Sequence, residues 1–354
     1  MSVLIPAEQL NHMLTENSKI FKLSIMKNYY IIVLMLLFSA SYFTNSKNNS
    51  VNTIEAFVDL PINGCLQKVL IQSDNIKDNP ILLYLHGGPG SSLMMYSYLY
   101  EHQLKKNFIY VNWDMRGAAL SYHENIDPRS VSQGQIVDDS IALINYLLKR
   151  FHKNKIFLIG HSFGSALGLY LINNYPEFFH AYIGIGQVIS YKKSVEETYK
   201  WLHQKLIAEN DLKGLEQIKK EHFPLMSLIY KYGGHHNLNI NLFNLIKKSP
   251  YYFEGYLELL QKGKRFSAEN VGKNPSRFGS EFEYIKQVSV PLYFFEGKHD
   301  HVVACSPKLV EEFVRKVKAP KKEIVWFLNS AHYVPVEEPE KFQNEMVRVL
   351  KATL

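Results

Sequence analysis

The chain has 354 residues, 46% of them hydrophobic, with a formal net charge of +7 and two cysteines. That length suits one large domain with an insertion, or two domains. The lysines are scattered with no dense basic tract, so charge gives no reason to read a nucleic-acid surface, and Cys65 and Cys305 form neither a metal-ligand spacing nor a disulfide framework.

Near the N-terminus, residues 26–43 read MKNYYIIVLMLLFSASYF. Lys27 precedes an apolar run from Tyr29 to Phe38, and Ser39, Ala40 and Ser41 follow it. A charged start, a short apolar core and small residues make the pattern of a secretory signal. The run is shorter than the ~20 apolar residues of a comfortable membrane span. Three readings stay open: a cleaved signal, an uncleaved anchor with membrane association, and a soluble buried helix. Export or anchoring through 26–43 is the expectation, with a cytoplasmic chain as the alternative. Residues 1–25 delay the charged region, so Met26 is an alternative start. The stretch TNSKNNSVN that follows is polar and turn-rich, and reads as a linker.

From about Asn52 the pattern becomes strand and turn. TIEAFVDL and CLQKVLIQS flank PING, a hairpin signal. PILLYLHGG is a continuous apolar run ending in glycines, which suits a buried parallel strand, and FIYVNWD is another. Residues 133–151 have apolar positions at helical spacing. KIFLIG is the next strand, a helix follows Ser162, and AYIGIG is a further strand. Strands alternating with helices predict a mostly parallel sheet covered on both faces. From about Gln187 to Gln287 the rhythm gives way to amphipathic helical stretches and the breaker YGGHHN. It resumes with VPLYFFEG, a helix near 307–317, the strand KEIVWFL, and a last helix from Pro339 to Leu350. The expected organisation is an N-terminal extension over 1–50, a first α/β core part over 51–186, a helical cap over 187–287 and a second core part over 288–354.

Gly160–His161–Ser162–Phe163–Gly164 matches G-x-S-x-G between a strand and a helix, the context of a nucleophile elbow. A serine hydroxyl is a poor nucleophile until a base takes its proton, and an acid must orient that base. In this architecture the order is Ser, then acid, then His. KHDHVV puts Asp300 in the loop after one late strand, and NSAHYVP puts His332 in the loop after the next. All three fall at one sheet edge. His301 competes with His332 as the base but lies beside the acid and before the last strand. Glu296 competes as the acid but lies within a strand end. The developing oxyanion needs donors. LHGGPG, residues 85–90, has glycines that let the backbone turn and present N–H groups, and the backbone amides of Gly88 and Phe163 are the expected pair. There is no metal cluster, phosphate loop or dinucleotide fingerprint, so neither a metal nor a cofactor is expected. An aspartate nucleophile, as in dehalogenases or epoxide hydrolases, is excluded by Ser162.

These pieces resemble the α/β-hydrolase superfamily, with an inserted helical cap, and more narrowly the proline iminopeptidase-like serine peptidases. The carrying residues are His86–Gly87–Gly88–Pro89–Gly90, Asp114–Met115–Arg116–Gly117, the elbow around Ser162, Gly297 to Asp300, and His332. The resemblance implies a triad of Ser162, Asp300 and His332 and an oxyanion donor at Gly88. Two positions depart from the family pattern. The elbow reads G-H-S-F-G-S rather than G-G-S-W-G-S, and DMRGAALS has Ala119 where a glycine is usual. Family members that cleave N-terminal residues bind the free amine with cap glutamates. YYFEGY, loosely like the family's W-E-G segment, makes Glu254 the counterpart, with Glu196 and Glu197 as weaker candidates. The expected function is an aminopeptidase acting on short peptides. A carboxylesterase with the same triad is the alternative, and a silent binding protein is the third reading.

Overall fold

Strand and helix boundaries follow the two hydrophobic periods of the sequence. A computed structural model of the protein describes residues 52–273 and 278–354. The segment 26–43 and the linker before Asn52 lie outside the described residues. Among the described residues no helix is long and apolar enough to cross a membrane.

The chain opens with β1 (Ile54–Ile62) and β2 (Cys65–Ser73), paired antiparallel with Ile62 opposite Cys65. The two residues between them, Asn63 and Gly64, have φ of 46° and 77°. Positive φ at both central positions is what a two-residue hairpin with right-handed strand twist requires. Next come β3 (Ile81–Leu85), α1 (Glu101–Asn107), β4 (Ile109–Trp113), α2 (Gln133–Phe151), β5 (Ile156–His161), α3 (Phe163–Asn174) and β6 (Phe179–Ile185). Five helices follow: α4 (Tyr191–Ala208), α5 (Leu212–Glu221), α6 (Met226–Lys231), α7 (Leu242–Lys247) and α8 (Tyr256–Val271). The chain then returns to the sheet with β7 (Leu292–Gly297), α9 (Pro307–Lys316), β8 (Lys322–Phe327), the short α10 (Val334–Glu337) and α11 (Pro339–Thr353).

The strands form one eight-stranded sheet in the order β1-β2-β4-β3-β5-β6-β7-β8. β2 runs antiparallel to both β1 and β4, and every other neighbouring pair is parallel. The continuous apolar strands supply both faces at once. Ile81, Leu83, Ile156, Leu158, Leu292 and Phe294 enter one core. Leu82, Tyr84, Phe157, Ile159, Tyr293 and Phe295 enter the other. This period-two split is why those runs show no polar alternation. The five-helix stretch has its own small core around Leu202, Leu206, Ile218 and Ile229.

A buried polar knot fixes the exit of β4. Arg116 donates from Nε and Nη2 to the two oxygens of Asp139 at 2.8 and 2.9 Å, and from Nη2 to the carbonyls of Ile62 and Asn63. Gln67 and Asn63 also donate to Asp139. The arginine of the DMRG segment thus ties the hairpin, β4 and α2 together. Removing one partner would strand the other charge, at a cost of about 3–5 kcal/mol.

Candidate active site

The carboxyl ends of the parallel strands converge on one edge. Ser162 caps α3 with φ 54° and ψ −119°, a conformation that side chains rarely adopt. The turn is possible because of what stands beside it. A Cβ on Gly164 would run into the Leu85 carbonyl oxygen and come within 2.6 Å of the His86 oxygen. Only glycine lets α3 start this close to the end of β3.

Asp300 and His332 leave the ends of β7 and β8 and meet. His332 Nδ1 donates to Asp300 Oδ2 at 2.7 Å, and both side chains are buried. Asp300 Oδ1 accepts from the Val302 amide at 3.0 Å. With Nδ1 carrying the proton, Nε2 is the basic nitrogen. Close packing holds the pair: a Cβ on Gly186, φ 51°, would stand 2.8 Å from His332 Nδ1 and 3.0 Å from Asp300 Oδ2. Glu337 clamps the loop on either side of His332, accepting from the amides of Ala331 and Tyr333 at 3.1 and 2.7 Å. It also accepts from the Asn237 amide in the helical insertion. Burial pushes the Glu337 carboxyl up, against the pull of these amides.

Ser162 and His332 line a common cavity of about 220 Å³ with Gly88, His161, His235 and Tyr333. Among the described residues no hydrogen bond joins Ser162 Oγ to His332. Against the larger effect of burial, the Ser162 hydroxyl draws the pKa of the nearby Cys305 thiol down. Cys305 is buried and donates to the Gly186 carbonyl at 2.9 Å. Burial first, then the charges of Asp300 and Glu296, raises its pKa well above the usual thiol value. Donor atoms of Asp300, Cys305 and His332 lie within 4.8 Å of one another. Two of these groups hydrogen-bond each other and the third bonds a backbone carbonyl, so the cluster is a hydrogen-bonded network rather than an open ligand set.

Gly88 lines the cavity and has φ 122°, and the Gly88–Pro89 peptide is cis. Phe163 is the first residue of α3, directly after Ser162. His86 donates from Nδ1 to the Gly87 carbonyl at 2.7 Å and accepts from the Met115 amide at Nε2. Burial lowers its pKa to about 4, so it is neutral, as both bonds require. His161 likewise donates from Nε2 to the His332 carbonyl at 2.8 Å, and burial followed by His332 keeps it neutral.

The competing candidates fall elsewhere. His301 stacks on Trp201 with centroids 4.0 Å apart and an interplanar angle of 10°. Glu296 is fully buried in β7, accepts from the Gln187 amide at 3.2 Å and is pushed well up by burial. Neither bonds Ser162 or His332. Glu254 does not reach the site: it is exposed in the turn before α8 and does not line the cavity that Ser162 lines. Glu196 is exposed, and Glu197 is paired with Lys200 and Lys308 at 3.0 and 2.9 Å. Sequence reasoning missed Cys305, His235 and Glu337. The paired histidines of YGGHHN were the visible signal for His235, while nothing local marked the other two.

A parallel sheet with a serine elbow, a histidine and an acid at successive strand ends defines an α/β-hydrolase. The family model for serine aminopeptidases, S33, matches residues 77–226. A probable aminopeptidase of Bacillus subtilis, YbaC, is 31% identical over 313 residues, covering 84% of this chain and 96% of that protein. A proline iminopeptidase of Saccharolobus solfataricus is 23% identical, covering 85% and 93%. The crystal structure of a Mycobacterium smegmatis proline iminopeptidase shares the fold, with a TM-score of 0.61 at 14% identity over 84% of this chain and 98% of that one. The chain belongs to the S33 serine aminopeptidase family of α/β-hydrolases.

Proposed function

We propose that the protein is a serine hydrolase working through Ser162, His332 and Asp300, and that it acts as an aminopeptidase on short peptides. The observation that carries the triad is the 2.7 Å bond from His332 to Asp300 beside a cavity that Ser162 and Gly88 also line. Kinship with the probable aminopeptidase of Bacillus subtilis carries the substrate class.

In this reading the Ser162 hydroxyl turns to His332 by rotating about its Cα–Cβ bond. His332 Nε2 takes the proton as Oγ attacks the acyl carbon. The amides of Gly88 and Phe163 receive the oxyanion, and their preorganisation is the largest expected contribution to rate. His332 then gives its proton to the leaving amine, and water repeats the cycle on the acyl-enzyme. Asp300 keeps the imidazole in the right tautomer and offsets its charge.

A second reading, a carboxylesterase, is favoured by one observation. No aspartate or glutamate is among the described residues lining the cavity that Ser162 lines. A buried ammonium without a partner costs several kcal/mol, and an ester has none. Export or anchoring through residues 26–43 is the accompanying proposal and rests on their sequence alone.

A panel of aminoacyl-arylamides, their N-blocked forms and aryl esters tests both readings, with a fluorophosphonate probe reporting on the nucleophile. Turnover of free-amine arylamides supports the peptidase, and turnover of esters alone rejects it. Ser162→Ala should lose labelling and about 10⁴-fold or more in kcat. Persistent labelling would remove Ser162 from the mechanism.

A further inference from the structure

The cavity beside Ser162 opens onto a larger one of about 390 Å³. The two share Ser91, Ser92, Tyr230, His235, Lys264 and Tyr333. The larger chamber is walled by apolar groups that include Leu238, Leu242, Phe243, Ile246 and Leu260. Among the described residues lining either chamber, Lys264 is the one Lys, Arg, Asp or Glu. It makes no ion pair or hydrogen bond with any described residue.

Lys264 is an exposed residue of α8 at the rim of both chambers, and the Ser267 hydroxyl ties that helix down by donating to the Gly117 carbonyl at 3.1 Å. The nearby histidines leave its charge unmatched. His235 is lowered to about 2 by burial first, with His332, His236 and Lys264 adding to the effect. It accepts at Nε2 from the Tyr230 hydroxyl at 3.0 Å and donates at Nδ1 to His236 at 3.0 Å. An ammonium brought into this chamber would meet a like charge and no carboxylate. A carboxylate would meet an unpaired cation beside the hydroxyls of Ser91, Ser92 and Tyr230.

We infer that Lys264 is a carboxylate-binding residue at the junction of the two chambers, and that the substrate joins an apolar body to a carboxylate on the side facing α8. The inference deepens the hydrolase reading of the Ser162 cavity and rests on it. For a short peptide the carboxylate is the C-terminus, carried by the leaving group. For an ester it is an acid group on a small apolar acyl or alcohol part.

Calorimetric titration of the full chain tests this without turnover. The ligands are matched pairs without a free N-terminal residue to cleave: 4-phenylbutyrate against 4-phenylbutanol, and N-acetyl-Leu-Phe against its C-terminal amide. The native chain should prefer the carboxylate of at least one pair by on the order of 10- to 100-fold, the range of one charge-assisted hydrogen bond. Lys264→Met should abolish that preference and leave affinity for the neutral member unchanged, and Lys264→Arg should retain it. A preference lost in the dipeptide pair assigns the carboxylate to a peptide C-terminus, and one lost only in the phenylbutyrate pair assigns it to a simple acid. No preference in the native chain, or one that survives Lys264→Met in both pairs, overturns the inference. Fluorophosphonate labelling of the same samples keeps the two readings apart, because a chain that is not labelled yet shows the Lys264-dependent preference retains the subsite and loses the hydrolase.

Discussion

Asp300→Asn puts the triad to its sharpest test, because the structure gives both carboxylate oxygens a donor to accept. Oδ2 accepts from His332 Nδ1 at 2.7 Å and Oδ1 from the Val302 amide at 3.0 Å, in a buried place. Asparagine has one acceptor oxygen. If that oxygen faces Val302, its NH₂ faces Nδ1, the imidazole proton must move to Nε2, and the base is lost. If it faces His332, two buried donors oppose each other at Val302, which costs about 1–3 kcal/mol. The first arrangement avoids that cost, so the wrong tautomer should dominate. The expected fall in kcat is about 10³- to 10⁴-fold, or about 4–5.5 kcal/mol at 1.36 kcal/mol per decade. The assay is hydrolysis of an aryl ester and an aminoacyl-arylamide, with thermal melting as the check on folding. A well-folded variant that loses less than about tenfold would refute the assignment of Asp300.

Asp114 should make stability fall as pH rises. Burial, opposed by hydrogen bonds from Ser92 and Leu120, raises its pKa from 3.8 to about 7, so the folded chain holds this proton more tightly than the unfolded chain. The stabilisation is complete below pH 3.8 and lost as pH rises through about 7. Asp114→Asn stays neutral, so its melting temperature should gain on the native one across that window, and a pH-independent difference would contradict the account. The full chain expressed in bacteria should fractionate with membranes or outside the cytoplasm if residues 26–43 act as a signal or anchor, and recovery from the cytosol alone would count against that reading.

Much of the site was legible because the signals that place it are short-range. Apolar runs such as ILLYL, IFLIGH and LYFFEG are short and end at glycine or a turn, which suits strands buried on both faces, and glycines after β3 and around Ser162 mark where the chain turns out of the sheet. Strand ends locate loops, so Ser162, Asp300 and His332 could be assigned to one edge before any distance was known. Backbone twist and connection rules carry that information without side-chain detail.

Tertiary packing decided what those rules leave open. Asp300 and His301 are neighbours in sequence, yet one bonds His332 and the other stacks on Trp201 in the helical insertion. Cys305 stands beside the Asp300–His332 pair and bonds the Gly186 carbonyl, a position set by how the chain leaves β7 on its way to α9. Glu254 and Lys264 both belong to the α8 segment and both are exposed, and the aromatic setting of Glu254 singled it out, but Lys264 lines the two cavities and Glu254 lines neither. A polar side chain at a cavity and one at the surface look alike in a helical pattern, because both avoid the apolar stripe. Which of them meets a substrate is set by the angle at which the helix crosses its neighbours, and that angle is a property of the packed whole.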